Sequence, residues 1–329
     1  MQIDTSIIVP MYNEVESAPA VIQEIIDVMD RLPLPWELIL IDDGSTDGTA
    51  ALLDRLAEED PRLIVAHFRR NFGQTAALQA GLELASGRRI VLLDGDGQND
   101  PADIPMMLSW LDRGYDLVHG WRKERRDAWL TRRVPSRIAN WLISKVTRFP
   151  IHDLGCTLKA MQREIADELE LYGEMHRFIP ILAHWRGARC VEVVTHHRPR
   201  RFGSSKYGLS RTVRVLLDLL TVKYMLDHFS SPMRLYGRMG LVFTTVGIAC
   251  LSAAVVSKLF WHADMTSNPL LMLGCILSVV SLQFFAIGLI GEANTRMYYR
   301  RGGRRPFAIR RTVHHGGPAE EVVGFKRVA

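Results

Sequence analysis

The chain has 329 residues, 47% of them hydrophobic, with a formal net charge of +5. Its length suits one large domain plus something smaller. Four cysteines (Cys156, Cys190, Cys250 and Cys275) form no CxxC pair and no zinc-ligand spacing, which excludes a disulfide framework and a structural metal and agrees with a reducing cytosol.

Ile3 to Pro10 reads as a first strand, with Ile7, Ile8 and Val9 apolar in succession. Asn13 and Glu14 open a helix whose apolar positions Val21, Ile25, Val28 and Met29 recur at helical spacing. Trp36 to Ile41 is a second strand, closed by the polar turn Asp42-Asp43-Gly44-Ser45-Thr46-Asp47-Gly48, in which Asp47 is placed to cap the next helix. Leu63 to His67 is a third strand. Thr75 to Ala85 is a helix stopped by Gly87. Ile90 to Leu93 is a fourth strand, short and apolar throughout, as buried parallel strands are. Strands alternating with helices predict an α/β architecture, a parallel sheet covered by helices. Polar residues gather after strands one, two and four, where ligands of such sheets lie.

The fourth strand runs into Asp94-Gly95-Asp96-Gly97-Gln98. Two carboxylates one residue apart suit a hard divalent cation, Mg²⁺ or Mn²⁺, that also holds a diphosphate. Gln98 is the third candidate ligand. A plain polar β-turn is the competing reading, since Asp and Gly populate turns in any case.

Beyond Tyr115 the pattern is less legible. Asp116 to His119 suggests a strand, Arg122 to Arg133 a charged loop, and Ile138 to Val146 a helix. Leu209 to Phe229 reads as an amphipathic helix or pair of helices, with Val213, Leu216, Leu217, Leu220 and Tyr224 on one side, suited to a membrane interface. No charge occurs from Met239 to Ser257 or from Met265 to Gly291. Each run is near or above the roughly 20 residues that cross a bilayer, which predicts a transmembrane hairpin.

The break Trp261-His262-Ala263-Asp264 holds no Lys or Arg, whereas Arg234, Arg238, Arg296, Arg300, Arg301, Arg304 and Arg305 flank the pair. Positive flanks stay inside, so both chain ends are expected in the cytoplasm of a multi-pass protein of the cell (inner) membrane. No cleavable signal is expected. Residues 1–116 carry 8 basic and 21 acidic side chains, and residues 117–329 carry 33 and 15. A basic second half beside a hairpin predicts contact with anionic lipids rather than nucleic acid.

Several motifs carry a resemblance. Val9-Pro10-Met11-Tyr12-Asn13-Glu14, Asp42-Asp43-Gly44-Ser45, Asn71-Phe72-Gly73 and Asp94-Gly95-Asp96-Gly97-Gln98 resemble the ordered motifs of family 2 glycosyltransferases with the GT-A fold. Arg122, Asp153-Leu154-Gly155-Cys156 and Arg201-Phe202-Gly203-Ser204-Ser205-Lys206-Tyr207 are similar to the polyprenyl-phosphate branch, which includes dolichyl-phosphate mannose synthase, bactoprenol glucosyltransferase and undecaprenyl-phosphate formamido-arabinose transferase. The likeness runs from about Ser6 to Arg300, with Gly97 a departure where the family often has a larger apolar residue, expected to loosen the turn.

The resemblance implies four segments: a cytoplasmic GT-A catalytic domain at 1–208, amphipathic juxtamembrane helices at 209–235, two transmembrane helices within 236–294 (about 239–260 and 268–291), and a basic cytoplasmic tail at 295–329. It implies an inverting enzyme that moves one sugar from a nucleotide diphosphate donor, UDP- or GDP-linked, to a polyprenyl phosphate. A homo-oligomer is left open.

Nucleotide contact falls by this analogy on Pro10, Tyr12, Glu14, Asp42, Asp43, Asn71 and Asp94. A capping turn is the plainer reading of Asp42 and Asp43, and core packing that of Tyr12. Asp94 and Asp96, with Gln98, would hold the cation, and Asp96, Arg122, Lys206 and Asp153 are the expected catalytic groups. A lipid monophosphate is already an oxyanion at neutral pH and needs cations rather than a base. Arg122, Arg133, Arg201 and Lys206, with the hydroxyl of Ser136, are suited to bind it. Arg125 and Arg126 read as surface charges. Asp153 is the one candidate general base, expected to orient the donor sugar or the loop, with a structural role as the alternative. His196 and His197 suit packing or headgroup contact. Two rivals remain: a processive polysaccharide synthase, against which stands the missing Gln-x-x-Arg-Trp motif, and a non-catalytic membrane scaffold that binds nucleotide sugar or lipid phosphate.

Overall fold

The computed structural model describes residues 2–123, 144–145, 147, 149–171, 173–199, 210–262, 264–266 and 268–301. They fall into two compact units, one ending at Leu219 and one beginning at Leu220.

In the first unit the strands are β1 (Thr5–Met11), β2 (Trp36–Asp42), β3 (Leu63–His67), β4 (Arg89–Leu92), β5 (Leu117–Trp121), β6 (Lys159–Gln162) and β7 (Cys190–Val194). The helices are α1 (Ala18–Met29), α2 (Thr49–Glu59), α3 (Gln74–Leu84), α4 (Ile104–Asp112), α5 (Arg163–Glu168) and α6 (Ile179–Trp185). The described strands form one sheet in the order β3-β2-β1-β4-β6-β5-β7. β1 to β4 run parallel, β6 is antiparallel to both its neighbours, and β7 is parallel to β5. One face buries Ile7, Val9, Leu38, Leu40, Val91, Val118 and Ala160 against α1 and α4. This alternation is the pleat read at period two.

Local chemistry corrects three sequence expectations. The first helix starts at Ala18, not at Asn13. Asn13 has a left-handed backbone, φ 55°, and its Oδ1 accepts from Thr46 N at 2.8 Å while Ser45 Oγ accepts from its own N–H at 2.9 Å. These side-chain bonds compete with the helix ladder. Gly87 does not end α3, which stops at Leu84 with Ala85 already extended. A Cβ at Gly87 would lie 2.6 Å from Ser6 Oγ, so the glycine serves a close approach to β1. Gly97 does not loosen its turn: its φ of +70° is a conformation that favours glycine over the larger residue. The capping role of Asp47 is visible, since its Oδ1 accepts from Thr49 N at 3.0 Å.

α7 (Ser210–His228) leads to the second unit, which continues with α8 (Pro232–Trp261) and α9 (Pro269–Arg301). Around Leu220 the described apolar stripe is offset from the expected one: Leu219 and Val222 are buried and Leu220 is exposed. α8 and α9 pack antiparallel through small residues. A Cβ on Gly240 would meet the Phe285 ring at 3.0 Å, and one on Gly274 would meet Leu251 at 2.6 Å. Ser281 Oγ donates to Gly240 O at 2.9 Å and lies 2.5 Å from Thr244 Oγ1. Both helices are long and apolar enough to cross a bilayer, and few of their residues are buried, unlike those of core helices. The expected helix at 138–146 lies almost wholly outside the described residues, as do residues 124–133 of the charged loop and the tail beyond 301.

Candidate active site

Asp94 lies one residue beyond the end of β4, after Leu93, and Gly95 lets the chain turn tightly beneath β1: a Cβ there would lie 3.1 Å from Pro10 O. Asp96 Oδ1 accepts from Gln98 N at 3.1 Å, which closes the turn on itself. Asp94 Oδ1 accepts from Gln74 Nε2 at 2.6 Å, and the Thr157 hydroxyl bonds the same carboxylate. Burial and the neighbouring Asp96 charge push the Asp94 carboxyl up to about 7. Two crowded carboxylates of this kind are what a hard cation relieves.

Among the described residues no three acidic, His or Cys side chains converge on a point. Paired carboxylates with a side-chain amide are the chemistry of a cation that takes one or two protein carboxylates and completes its shell with phosphate oxygens and water, as Mg²⁺ does. Gln98 is held in place through its main chain, its carbonyl accepting from Arg198 N at 2.9 Å.

The ends of β1 and β2 form the adjacent wall. Pro10 is half-buried, and Tyr12 is 41% exposed, so Tyr12 is not core packing. The Ser17 hydroxyl bonds the Glu14 carboxylate and lies 3.1 Å from Gly95 O, which ties Glu14 to the acidic turn. Asp42 and Asp43 are buried. Asp42 accepts from Ser45 N at 3.0 Å and meets His67 Nδ1 at 2.9 Å. Asp43 accepts from Phe72 N at 2.6 Å and Gly73 N at 2.9 Å. Both carboxylates hold loops around the crevice. The Asn71-Phe72-Gly73 loop thus presents Asn71 exposed and the Phe72 ring 54% exposed, with Arg70 stacked 4.7 Å from its centroid. Phe72 was legible only as part of a motif.

Arg122 and Asp153 form a bidentate pair, Nε–Oδ2 2.7 Å and Nη2–Oδ1 2.9 Å. Arg122 N also donates to Asp153 Oδ2 at 3.3 Å. Both side chains are nearly buried, at 11% and 5% exposed. Asp153 holds Arg122 charged well beyond its ordinary range despite the burial that opposes it. This geometry makes Asp153 an anchor for Arg122 rather than a base reaching into open solvent.

His196 is a tether, its N–H and Nδ1 2.7 and 2.8 Å from the two oxygens of Asp103. His197 makes an isolated bridge with Asn99. Arg198 pairs with Glu24 at 2.6 Å and Asp100 at 2.8 Å, so the chain after β7 is bound to the acidic turn. Arg133, Ser136, Arg201 and Lys206 lie outside the described residues. Gln74 and Thr157, which bond Asp94, and Asn99, which bonds Thr157, carry no sequence signal, because no spacing marks a neutral residue brought to a site by the fold.

Known proteins share both the chain and the fold. A dodecaprenyl-phosphate galacturonate synthase of Rhizobium johnstonii is 39% identical over 312 residues, covering 94% of this chain and 92% of the relative. An undecaprenyl-phosphate 4-deoxy-4-formamido-L-arabinose transferase of an Enterobacter species is 35% identical over 313 residues, covering 94% of each. Among solved structures, glucosyl-3-phosphoglycerate synthase from Mycobacterium tuberculosis, in complex with Mn²⁺, uridine diphosphate and phosphoglyceric acid, superposes with a TM-score of 0.54 at 22% identity, over 67% of this chain and 78% of that one. The family model described as Glycosyl transferase family 2 matches residues 6–170, the span that carries β1 to β6 and the paired carboxylates. With that match, those relatives and a mixed sheet of GT-A type, the chain belongs to glycosyltransferase family 2.

Proposed function

We propose that this glycosyltransferase is an inverting enzyme of the cytoplasmic membrane face, moving one sugar from a UDP- or GDP-linked donor to a polyprenyl phosphate. The observation that carries the reading is coverage. The polyprenyl-phosphate sugar transferases match 94% of the chain, so the likeness extends beyond the catalytic unit into the apolar helices. The acceptor supplies its own nucleophile: a phosphate oxygen attacks the anomeric carbon, and the carbon–oxygen bond to the diphosphate breaks with its electron pair leaving on the nucleotide. No general base is required, which agrees with an Asp153 engaged by Arg122.

Asp94 and Asp96, with Gln98, would hold Mg²⁺ or Mn²⁺, which when bound stabilises charge on the leaving diphosphate. The Mn²⁺ in the mycobacterial structure supports that choice of ion. Exposed Tyr12 and Phe72 offer aromatic faces to the base, and Asn71 and Glu14 offer polar contacts beside them. Arg122, Arg133, Arg201 and Lys206, with Ser136, draw the lipid phosphate toward a diphosphate that one cation only partly neutralises.

The test is a donor screen with full-length protein in detergent, undecaprenyl phosphate and Mn²⁺, scored by lipid-linked sugar formed. Transfer from one nucleotide sugar is expected. Product longer than one sugar would favour a processive synthase, and nucleotide binding without turnover would favour a scaffold. In the same assay Lys206→Met is expected to lower transfer about a hundredfold, the loss of roughly 2.7 kcal/mol of transition-state stabilisation, while nucleotide binding changes little. Loss of nucleotide binding with lipid-phosphate affinity retained would reassign Lys206 to the donor side.

A second expectation concerns topology. The Lys/Arg-free break and basic flanks support a topology with both chain ends in the cytoplasm. In a cysteine-free background, Thr266→Cys is expected to react with a membrane-impermeant thiol reagent added from outside, and Ala319→Cys is not. The reverse labelling would put the site on the wrong side for cytosolic sugar nucleotides.

A further inference from the structure

One register row crosses the whole sheet: Ile64, Ile39, Ile8, Leu92, Lys159, His119, Glu192. Paired residues project from the same face. The half on β3, β2, β1 and β4 is apolar, as a covered sheet face should be. The half on β6, β5 and β7 carries three ionisable side chains side by side, with Lys159 and His119 each 2% exposed. Burying such groups is costly, and apolar residues of similar volume would serve folding as well or better.

What the three side chains touch explains their presence. Lys159 Nζ donates to Cys156 O at 2.6 Å. His119 Nε2 donates to Asp153 O at 2.6 Å. Burial first, with the Lys159 charge second, drives the His119 pKa down to about 3, so the ring is neutral and carries its proton on Nε2. Glu192 accepts from Asp153 N at 3.0 Å and His152 N at 3.1 Å. The loop from His152 to Cys156 is therefore pinned to the sheet by its main chain at three points. Its ends reach the catalytic groups: the Asp153 carboxylate holds Arg122, and Thr157 bonds Asp94 while its Oγ1 accepts from Asn99 Nδ2 at 2.7 Å.

We infer that the row Lys159–His119–Glu192 positions the Asp153–Thr157 loop and, through Thr157, sets the affinity of the Asp94 site for a divalent cation and the rate of transfer. These are positioning residues, and the inference rests on the glycosyl-transfer reading above. Groups one step removed from a cation site, as Thr157 is, typically change affinity or activity about 10–100-fold when replaced, and the row acts through Thr157, so the lower end of that range is expected.

The experiment uses the full chain in detergent, with Mn²⁺ alone titrated by the electron paramagnetic resonance signal of the free ion, alongside kcat, donor KM and Tm. His119→Leu and Lys159→Met are each expected to weaken Mn²⁺ binding and lower kcat about tenfold. His119→Gln, whose amide nitrogen can occupy the place of Nε2, should return both to within about threefold of wild type. Variants that lose Tm but keep Mn²⁺ affinity and kcat within twofold would make the row a folding feature alone and overturn the inference. Should Leu or Met at these sites prevent folding, His119→Gln against His119→Asn decides it. Asn reaches the Nδ1 position instead, so equal behaviour of the two would also overturn it. Wild-type protein that neither binds Mn²⁺ nor transfers sugar would refute the functional reading and the row's role with it. A normal wild type with insensitive variants refutes the row alone.

Discussion

Asp96→Asn is expected to abolish nearly all sugar transfer, by about 10²–10³-fold, with the fold intact. A cation beside a leaving diphosphate supplies several kcal/mol of charge stabilisation, and each 1.36 kcal/mol is a factor of ten. Asn keeps the Oδ1 that accepts from Gln98 N, so the turn is preserved while the charge is lost. The check is product formation as Mn²⁺ is raised to saturation in protein with an unchanged Tm. Near-normal rates at high Mn²⁺ would exclude Asp96 as an essential ligand. A pH dependence accompanies this prediction. The proton on Asp94 competes with the cation, and its pKa is raised to about 7. Apparent Mn²⁺ affinity of the wild type should rise with pH up to that value and level off above it. In Asp96→Asn, loss of the neighbouring charge lowers the Asp94 pKa, so the plateau should begin at lower pH.

Asp153→Asn is the second large effect, and it separates an anchor from a base. Removing one partner of a buried ion pair costs about 3–5 kcal/mol, because the other charge is left uncompensated. Arg122 is that charge, nearly buried and bound through two nitrogens. For a unit of this size the loss corresponds to a Tm lower by about 6–20 °C. An essential base would instead lose activity with Tm unchanged. The double variant Arg122→Met/Asp153→Leu should recover most of the lost stability, since apolar replacement of a buried pair is often neutral or better. Activity should not return, because the guanidinium is gone. Full activity in the double variant would show the pair to be structural only.

Much of the architecture is legible in the sequence. β1 to β4 and the paired spans are short or long apolar runs bounded by turn chemistry, and such runs state their own period. Ile90 to Leu93 needed nothing beyond its composition to be read as a buried strand, and the Asp-Gly-Asp turn at its end marked the site. β6 was not legible. Lys159-Ala160-Met161-Gln162 has no apolar run, and it is a strand because β4 and β5 supply hydrogen-bonding partners on both sides. α1 begins five residues later than the polar pair Asn13-Glu14 suggested, because their N–H groups bond to Ser45 and Thr49, more than thirty positions away in the β2–α2 turn and at the start of α2.

The same division holds for the site. Motif order in the chain marks the paired carboxylates and the Asp42-Asp43 turn as candidates, since each is a local pattern of residue types whose chemistry is intrinsic, and the family resemblance adds Arg122. Which of these carboxylates face ligand and which face protein depends on distant donors: Phe72 and Gly73 for Asp43, His67 for Asp42, Arg122 for Asp153. The three ionisable side chains on β6, β5 and β7 are scattered over more than seventy residues of chain. Only strand pairing sets them in one row beneath the Asp153 loop, because register across a sheet is a property of neighbouring strands and of no single segment.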